Sequence, residues 1–325
     1  MSENEFALLL QQSLGVDCEG LLPQVITGHG ERTARRFLDF FLVKIRNRNT
    51  RLAYATSLKQ FLGWCDEKGL ALERITPFMV GFYIEQHPGS PATVNQHLAA
   101  IRSLFAWLMA GGTLERNPAL EVSGIKHEVT TGKTPVLSDE EMRTLLDSIN
   151  TSSLIGLRDR ALIATMFYSF ARIGAVVAMQ VKDYFPKGKR YWLRLKEKGG
   201  KDHQVPCHHR VEEYLDAYLE AAGIADQALS PLFRSFTGRN QGMTLLPLKR
   251  QKAWEMVKRR SLQAGITTAT CNHSFRASGI TNFLKHGGIR ENAQKIAAHK
   301  DVRTTALYDR RSDEVSLDEI ERIRL

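Results

Sequence analysis

The sequence predicts a mainly α protein with two domains: an all-helical N-terminal domain and a mostly helical C-terminal domain with a small antiparallel β-sheet. Three observations support this fold class. The chain has 325 residues, enough for two domains that each bury a core. Helical patterns dominate, and the stretch RYWLRLKEKGGKDHQVPC, residues 190–207, instead has two strand-like runs around a Lys- and Gly-rich turn. Residues 118–135 lose the periodicity and gain Pro, Gly, Thr and Lys, which is typical of an interdomain linker.

The N-terminal part is predicted to be an extension followed by a helical domain. Residues 1–30 hold one short apolar helix candidate, EFALLLQQSL, and then a Gly-containing loop. Helical signals dominate from residue 31 to 117. Thr50 is the candidate N-cap of a helix whose apolar residues recur at helical spacing and which Gly69 ends.

Two further helices of this domain begin at a proline. The pairs TP at 76–77 and SP at 90–91 each combine an N-cap residue with Pro at the first helical position. The second of these helices is long, and the GG pair at 111–112 stops it. About four helices are therefore predicted for this domain.

The C-terminal domain, predicted over residues 136–311, begins with a capping box in which Ser138 and Glu141 are three residues apart. The tail, residues 312–325, has a short amphipathic helix candidate of its own at 316–324. Between them, helical patterns are predicted over 156–182, 209–222, 248–264, 276–286 and 290–299.

The chain carries an excess of positive charge. It has 45 Lys and Arg against 35 Asp and Glu, a net charge of +10 and a sequence pI ≈ 9.5. Such an excess favours a polyanionic partner, either nucleic acid or an acidic membrane face, and the alternative is a basic surface without such a partner. No apolar run approaches the ~18–20 residues that a membrane span requires, so no membrane partner is expected.

The cysteines and the first residues favour the cytoplasm. The cysteines lie far apart and form no CxxC pair, so neither a disulfide framework nor a zinc finger is expected. The start, MSENEF, is acidic where a signal peptide is basic. Cys207, His208 and His209, with His203 nearby, are residue types that bind metals, but the preferred interpretation is a turn after a strand. No metal and no cofactor are predicted.

Two polar features are hard to explain by folding alone. Arg172 lies inside the apolar stretch FYSFARIGAVVAMQV, and a buried Arg needs several acceptors or a bound anion because its charge cannot be titrated away. The alternative is a side chain that reaches solvent at a helix start. The turn KEKGGK, residues 196–201, lies between two strands that would hold a lysine at a fixed height. The alternative here is an ordinary basic hairpin tip.

Two more features lie nearer the C-terminus. His273 and Arg276 are three residues apart, so both project from one side of a helical turn and could grip one phosphate. His299 precedes Tyr308 by nine residues. Tyr308, in TTALYDRR, is either a half-buried aromatic with its hydroxyl at the surface or a nucleophile for a phosphodiester. Each pattern by itself is too short to be specific.

Taken in order, these residues carry a family resemblance. The run of Arg, hairpin Lys, HxxR, His and then Tyr near the C-terminus resembles the tyrosine recombinase (phage integrase) family. The segment GKTPVLSDEEMRTLL resembles the start of the family's catalytic domain, and SPATVNQHLAAIRSLFAWL resembles the last long helix of its core-binding domain. The resemblance covers most of the chain. It implies a core-binding domain at 31–117, a catalytic domain at 136–311 and an exchange helix at 312–325.

The resemblance implies a site-specific DNA recombinase that cuts and rejoins two duplexes as a homotetramer, through a 3′-phosphotyrosyl intermediate. Tyr308 is then the nucleophile. A phenol with a reference pKa of ~10 is a poor nucleophile at neutral pH and needs a charged, desolvating site. Arg172 and Arg276 are expected to clamp the non-bridging phosphate oxygens bidentately, which makes a metal ion unnecessary.

The remaining site residues are expected to move protons. Lys198 resembles the family's general acid, which protonates the leaving 5′-hydroxyl, and Lys201 on the same turn is the alternative. His273 resembles the residue that manages the proton of the tyrosine, and His299 a further donor to the phosphate.

One position departs from the family pattern. Members usually have an acidic residue three positions after the first arginine, and this chain has Ala175 there. Either another acid, with Asp183 as the candidate, orients Arg172, or the site is held differently.

The biological task stays open between phage or mobile-element integration, plasmid resolution and chromosome dimer resolution, with or without accessory DNA-bending proteins or a partner recombinase. Alternative functions are a type IB topoisomerase, a catalytically inactive DNA-binding regulator and a basic membrane-associated protein. Candidate DNA contacts of the N-terminal domain are Arg51, Lys59, Gln96 and Arg102, each of which is otherwise a solvated surface residue.

Overall fold

The computed structural model describes residues 22–126, 132, 134–197, 201–238 and 242–309, with only the backbone described at Lys201. The chain divides into two compact units, Met1–Glu128 and Val129–Leu325. Both are built mainly from α-helices, and the second also carries antiparallel strands. The predicted fold class is therefore confirmed.

The N-terminal unit is a bundle packed around two long helices. Its described α-helices are α1 (Gln24–Thr27), α2 (Glu31–Asp39), α3 (Arg48–Glu67), α4 (Pro77–Glu85) and α5 (Pro91–Ala110). A π-helical turn, Phe40–Lys44, extends α2. The facing sides of α3 and α5 contribute Leu58, Phe61, Leu104 and Phe105, which are completely buried.

The helix starts of this unit follow from their caps. Thr76 and Ser90 accept hydrogen bonds from the backbone N–H groups of Met79 and Thr93, so the predicted starts of α4 and α5 are confirmed. The predicted cap of α3 is wrong: Asn47, not Thr50, begins the helix. Asn and Thr are both good N-caps, and Asn47 has the extended backbone that the position requires, which puts Thr50 inside the first turn.

Segments on both sides of the predicted core-binding domain pack against it. Val25 in α1 is buried in the core of this unit, and its backbone N–H donates to the Asp66 carboxylate at 2.6 Å. Downstream, the Arg102 guanidinium donates to the carbonyls of Ala119 and Val122. The packed unit therefore extends beyond 31–117 at both ends, into the predicted extension and linker.

The C-terminal unit alternates short strands with helices. Its described helices are α6 (Asp139–Asp147), α7 (Leu154–Tyr168), α8 (Ile173–Val176), α9 (His209–Ala222), α10 (Arg250–Gln263), α11 (Asn272–Lys285), α12 (Arg290–Ile296) and α13 (Val302–Ala306). Its described strands are β1 (Tyr184–Lys187), β2 (Arg190–Glu197), β3 (Lys201–Pro206), β4 (Arg234–Phe236) and β5 (Met243–Pro247). The capping box at Ser138 is confirmed.

The stretch 156–182, where helical patterns were predicted, contains helices but is interrupted by a break. Helix α7 ends at Tyr168, and Phe170 has a left-handed backbone with φ of 53°. Helix α11 crosses close to this end, because a Cβ added to Gly279 would lie 2.1 Å from the Phe167 carbonyl oxygen. The break leaves Arg172 at the N-cap of α8, in an extended conformation. Residues on both sides of the break are buried. The apolar pattern of the sequence therefore continues through the break and gives no sign of it.

The predicted hairpin is confirmed, and the described sheets are larger than predicted. Strands β2 and β3 pair antiparallel up to Glu197 opposite Lys201, and β1 adds a third strand on the other edge of β2. A separate sheet, β4 with β5, was not predicted. Helix α13 was not predicted either, and α11 begins at Asn272, before the expected residue 276. Among the described residues, no helix combines the length and hydropathy needed to cross a membrane.

Candidate active site

Tyr308 follows α13 and is 7% exposed, buried against a small apolar cluster of the C-terminal unit. Three hydrogen bonds hold the backbone of Tyr308 and of the preceding Leu307. The Tyr308 N–H donates to the Thr305 carbonyl at 3.0 Å, and the Thr281 hydroxyl donates to the Tyr308 carbonyl at 2.9 Å. The N–H of Gly132, from the predicted linker, donates to the carbonyl of Leu307 at 3.0 Å. The tyrosine is thus fixed by contacts with segments that are distant from it in the sequence.

Two histidines flank the Tyr308 ring. His273, in the first turn of α11, brings Nε2 to 3.0 Å from the phenol oxygen. The ring of His299 stacks nearly parallel to that of Tyr308, with ring centroids 5.8 Å apart and an interplanar angle of 10°. The hydroxyl therefore has a polar partner in His273, and that partner can exchange a proton with it.

Both histidines are disfavoured as cations. Burial and the positive charges of Arg276 and Arg172 together lower the pKa of His299 to about 3. Burial and the same two arginines also lower the pKa of His273. Both rings are therefore neutral near pH 7 and each can donate one hydrogen bond and accept another. At His299 the Nδ1 atom lies 2.8 Å from the hydroxyl oxygen of the buried Thr305.

Arg276, one turn after His273 on α11, is 1% exposed. Its Nη1 donates to the Phe170 carbonyl and its Nη2 to the Ala297 carbonyl at 2.6 Å. Its Nε is buried and has no hydrogen-bond partner among the described residues. Burial and the charge of Arg172 lower its pKa to about 10, so it stays positive at neutral pH. An unpaired buried cationic donor is costly, and an anionic ligand would satisfy it.

Arg172 forms an ion pair with Glu197, at the end of β2. The side chain of Arg172 is 39% exposed, whereas that of Glu197 is 7% exposed. The prediction that Asp183 orients Arg172 is wrong. Asp183 instead accepts a hydrogen bond from the Gln180 N–H at 2.9 Å and lies 3.7 Å from Arg194. Ala175, the family's usual acidic position, is buried.

Glu197 was missed by the sequence analysis, although the sequence holds a signal for it. Leu193 and Leu195 are the buried residues of β2, and Glu197 continues their alternation on the same face. An acid at an inward-facing strand position requires a positive partner.

The hairpin lysines lie at the edge of what the structure describes. Lys198 and the side chain of Lys201 fall outside the described residues. Glu197, directly before Lys198 in the chain, pairs with Lys201 in the sheet and also contacts Arg172. On β3, the His203 Nε2 lies 2.9 Å from the Ile296 carbonyl at the end of α12. The hairpin is thus attached to the helices that carry the site.

The residues considered as metal ligands have separate partners. His203 contacts Ile296, as described above, and His208 caps α9 and stacks on Tyr168 with centroids 4.1 Å apart. Burial raises the pKa of the Cys207 thiol to about 12. In the described ranges there is no group of three or more His, Cys, Asp or Glu side chains arranged to hold a metal ion.

The four candidate DNA contacts of the N-terminal unit differ in their surroundings. The Arg51 guanidinium donates to two neighbouring backbone carbonyls, at 2.8 and 3.2 Å, and Arg102 likewise holds the segment after α5. Lys59 and Gln96 instead line an open groove of ≈ 1180 Å³ between α3 and α5. Lys59 and Gln96 are therefore the candidates whose side chains face a space that a ligand can enter.

The sequence matches two family descriptions. Residues 135–314 match the phage integrase family, and residues 35–112 match the phage integrase N-terminal SAM-like domain. The first match alone covers more than half of the chain.

The chain is also similar to named recombinases. It is 28% identical to the tyrosine recombinase XerD of Listeria monocytogenes serotype 4b over 285 residues, which cover 84% of this chain and 91% of that protein. It is 27% identical to the tyrosine recombinase XerD of Pseudomonas aeruginosa over 281 residues, which cover 84% of this chain and 90% of that protein.

Solved structures share the fold. One is the XerH site-specific recombinase bound to difH substrate in a pre-cleavage complex, with a TM-score of 0.65, 18% identity, and coverage of 99% of this chain and 88% of that one. Another is a lambda integrase dimer bound to a COC′ core site, with a TM-score of 0.62, 18% identity, and coverage of 87% and 79%. The resemblance inferred from the sequence is confirmed: the chain belongs to the phage integrase family and is a tyrosine site-specific recombinase.

Proposed function

We propose that this protein cuts and rejoins double-stranded DNA at a specific site through a covalent 3′-phosphotyrosyl bond to Tyr308. The observation that carries the proposal is the 3.0 Å contact between the Tyr308 hydroxyl and His273 Nε2. It lies in a site that also contains Arg172, Arg276 and His299. Such a site joins a nucleophile, a proton acceptor and fixed positive charge, which are the parts that phosphoryl transfer requires.

In the cleavage step, the Tyr308 oxygen attacks the scissile phosphorus. The proton of the phenol passes to Nε2 of His273, which is neutral at physiological pH because burial and the two arginines lower its pKa. A bond forms between phosphorus and the tyrosine oxygen, and the bond from phosphorus to the 5′-oxygen breaks. Lys198, or Lys201 on the same turn, protonates the leaving oxygen. Rejoining is the reverse reaction with a second 5′-hydroxyl, so one phosphodiester replaces another and no ATP is needed.

The two arginines would stabilise the charge that develops on the phosphate. Arg276 holds its Nη atoms on backbone carbonyls and leaves a buried Nε that has no hydrogen-bond partner within the described parts of the chain. Arg172 is partly exposed, so a phosphate can approach it from solvent. His299, neutral because its pKa is about 3, would act as an uncharged donor to the same phosphate. Neither arginine can lose its charge at neutral pH, and their field does not depend on a metal ion.

The proposed assembly is a tetramer on two duplexes, in which the tail exchanges between subunits. The tail lies outside the described residues, and its sequence SDEVSLDEIERIRL holds five acids and two arginines, a net charge of 2 − 5 = −3. An acidic segment is poorly suited to covering DNA, yet Val315, Leu317 and Ile320 give it an apolar side that needs burial. Docking in a neighbouring subunit would couple Tyr308 to that subunit. A lambda integrase tetramer bound to a Holliday junction has the same fold, with a TM-score of 0.61.

The proposal is tested by trapping the covalent complex in cells. Wild-type protein and the Tyr308→Phe variant are expressed, the cells are lysed in denaturant, and DNA attached to the purified protein is sequenced. We expect the wild type to carry DNA enriched in one sequence and joined at a 3′ end, and the Phe variant to carry none. Equal recovery from both proteins would contradict the role of Tyr308. Adducts without any preferred sequence, together with relaxation of an arbitrary supercoiled plasmid, would instead indicate a type IB topoisomerase.

A further inference from the structure

Arg172 needs a partner to be useful as a phosphate clamp. Its side chain is partly exposed and extends from the N-cap residue of a short helix, α8, so the helix alone does not fix the guanidinium. An arginine side chain loses considerable rotamer entropy when it is held in one position. Within the described part of the chain, the acid that holds Arg172 is Glu197.

Within the described residues, the ion pair with Arg172 accounts for the position of Glu197. It occupies the inward face of β2 after Leu193 and Leu195, a place where an apolar residue would serve the core better. A buried carboxylate is unfavourable unless it is paired, and Arg172 is the cation it pairs with. The two residues are 25 positions apart and lie on different elements, so the pairing is a tertiary contact.

Glu197 also stands beside the hairpin turn. Lys198 follows it directly in the chain, and Lys201 pairs with it across the sheet. The charge of Glu197 is among those that raise the pKa of Arg276. One carboxylate is therefore close to both arginines and adjacent in sequence to the turn that carries the candidate general acid.

We infer that Glu197 is a positioning residue that orients Arg172 and couples the β2–β3 hairpin to the phosphate clamp, in place of the acid that is absent at Ala175. The inference rests on the proposed function of the site. Glu197 acts through Arg172 and does not itself contact the reacting atoms. The ion pair between Glu197 and Arg172 also fixes the position of the hairpin end relative to Arg172.

The contact is tested first without DNA, by thermal unfolding of the full chain. Glu197→Gln is expected to lower Tm in the wild-type background, since it weakens the ion pair. In an Arg172→Gln background the same change is expected to raise Tm, because it removes a buried carboxylate that has lost its partner. An identical shift of Tm in both backgrounds would overturn the inference, whatever the activity of the protein.

The functional role is tested with the DNA recovered by covalent trapping. Glu197→Gln is expected to slow formation of the covalent complex about 10- to 100-fold, the size of effect seen when a supporting partner is removed, while DNA binding stays within about twofold. Glu197→Asp, which keeps the charge on a shorter side chain, should lie between Gln and wild type. Asp183→Asn is the matched control, because Asp183 is a buried acid beside β2 that lies near Arg194 instead of Arg172.

The outcomes separate the two proposals. A wild-type protein that forms no adduct contradicts the proposed function, and the Tm experiment still decides the contact. A wild type that forms adducts, with Glu197→Gln cleaving at the wild-type rate, overturns the positioning role alone. The double variant of Glu197→Gln and Arg172→Lys gives a further test. If its loss of cleavage rate equals the product of the two single losses, the positioning role is also overturned, because residues that act as one unit give non-additive effects.

Discussion

The phenol oxygen of Tyr308 and Nε2 of His273 lie 3.0 Å apart. If His273 takes the tyrosine proton, it must be neutral, and its pKa is lowered by burial and by Arg276 and Arg172. The pH dependence of kcat/KM for cleavage reports the pKa values of the free protein. As the pH is lowered, we therefore expect kcat/KM to stay constant until the pH is below the ordinary histidine pKa of about 6.5. His286→Gln, at an exposed histidine just after α11, should leave the profile unchanged. An acid limb with its midpoint above 6.5 would contradict the assignment.

The buried His299 makes stability depend on pH. Its folded pKa is about 3, so it binds a proton more readily in the unfolded chain, whose histidines have a pKa of about 6.5. Above pH 6.5 His299 does not change the free energy of unfolding with pH. As the pH falls from 6.5 towards 3, the free energy of unfolding decreases by up to about 1.4 kcal/mol per pH unit. His299→Gln should remove this part of the slope between pH 6.5 and 5 in chemical denaturation. A variant with the wild-type slope would contradict the burial of a neutral ring.

Replacing either clamp arginine by lysine keeps the charge and removes the planar fork. We expect Arg172→Lys and Arg276→Lys each to cost about 2–4 kcal/mol of transition-state stabilisation, measured as the rate of covalent-complex formation. Arg276→Lys should in addition lower Tm, because it removes donors from the carbonyls of Phe170 and Ala297. Arg194→Lys, outside the site, is the control. Wild-type cleavage by Arg172→Lys would mean that Arg172 does not grip the phosphate.

Cleavage is expected to proceed without a divalent metal ion. The two arginines would already neutralise the developing charge, which is what a metal ion would supply. Covalent-complex formation should be equally fast in excess EDTA and in magnesium, at matched ionic strength because DNA binding depends on salt. Loss of cleavage in EDTA with recovery on adding magnesium would count against the mechanism.

Removing residues 314–325 tests the exchange of the tail. We expect the truncated protein to bind one half-site with unchanged affinity and to lose cooperative binding to a full site, both measured by gel shift. Recombination between two sites should fall with assembly. The full-length chain with the apolar tail residues Val315, Leu317 and Ile320 replaced by Ser is the companion variant. A truncated protein that assembles and recombines normally would show that the tail packs on its own domain.

Much of the fold was predictable because local signals agree with tertiary structure. The Pro-containing starts of α4 and α5 and the capping box of α6 are local, and they were predicted correctly. The break after Tyr168 was not, since it depends on the close crossing of α11 at Gly279. Strand β1 was missed because YFPK is short and contains Pro186, which is tolerated on an edge strand.

The residues of the site were predictable because their order along the chain resembles the family pattern. The sequence alone pointed to Arg172, His273, Arg276, His299 and Tyr308, and the fold brings them together. Their orientation was not predictable, because it depends on contacts between distant segments. Glu197 is the example: its importance follows from the face of β2 on which it lies and from the break that turns Arg172 towards it.

Short helices such as α13 open locally more easily than the whole domain unfolds, and a nucleophile next to one would spend part of its time out of place. Here Gly132 and Thr281 each contribute one hydrogen bond to the backbone at Leu307 and Tyr308. A typical net value of about 1 kcal/mol for each such bond makes local opening of this segment roughly thirtyfold rarer. The fraction of molecules in which Tyr308 is in place then depends on how often residues 302–309 detach. This local opening requires less free energy than unfolding of the whole domain. Amide hydrogen exchange at Tyr308 measures that frequency directly.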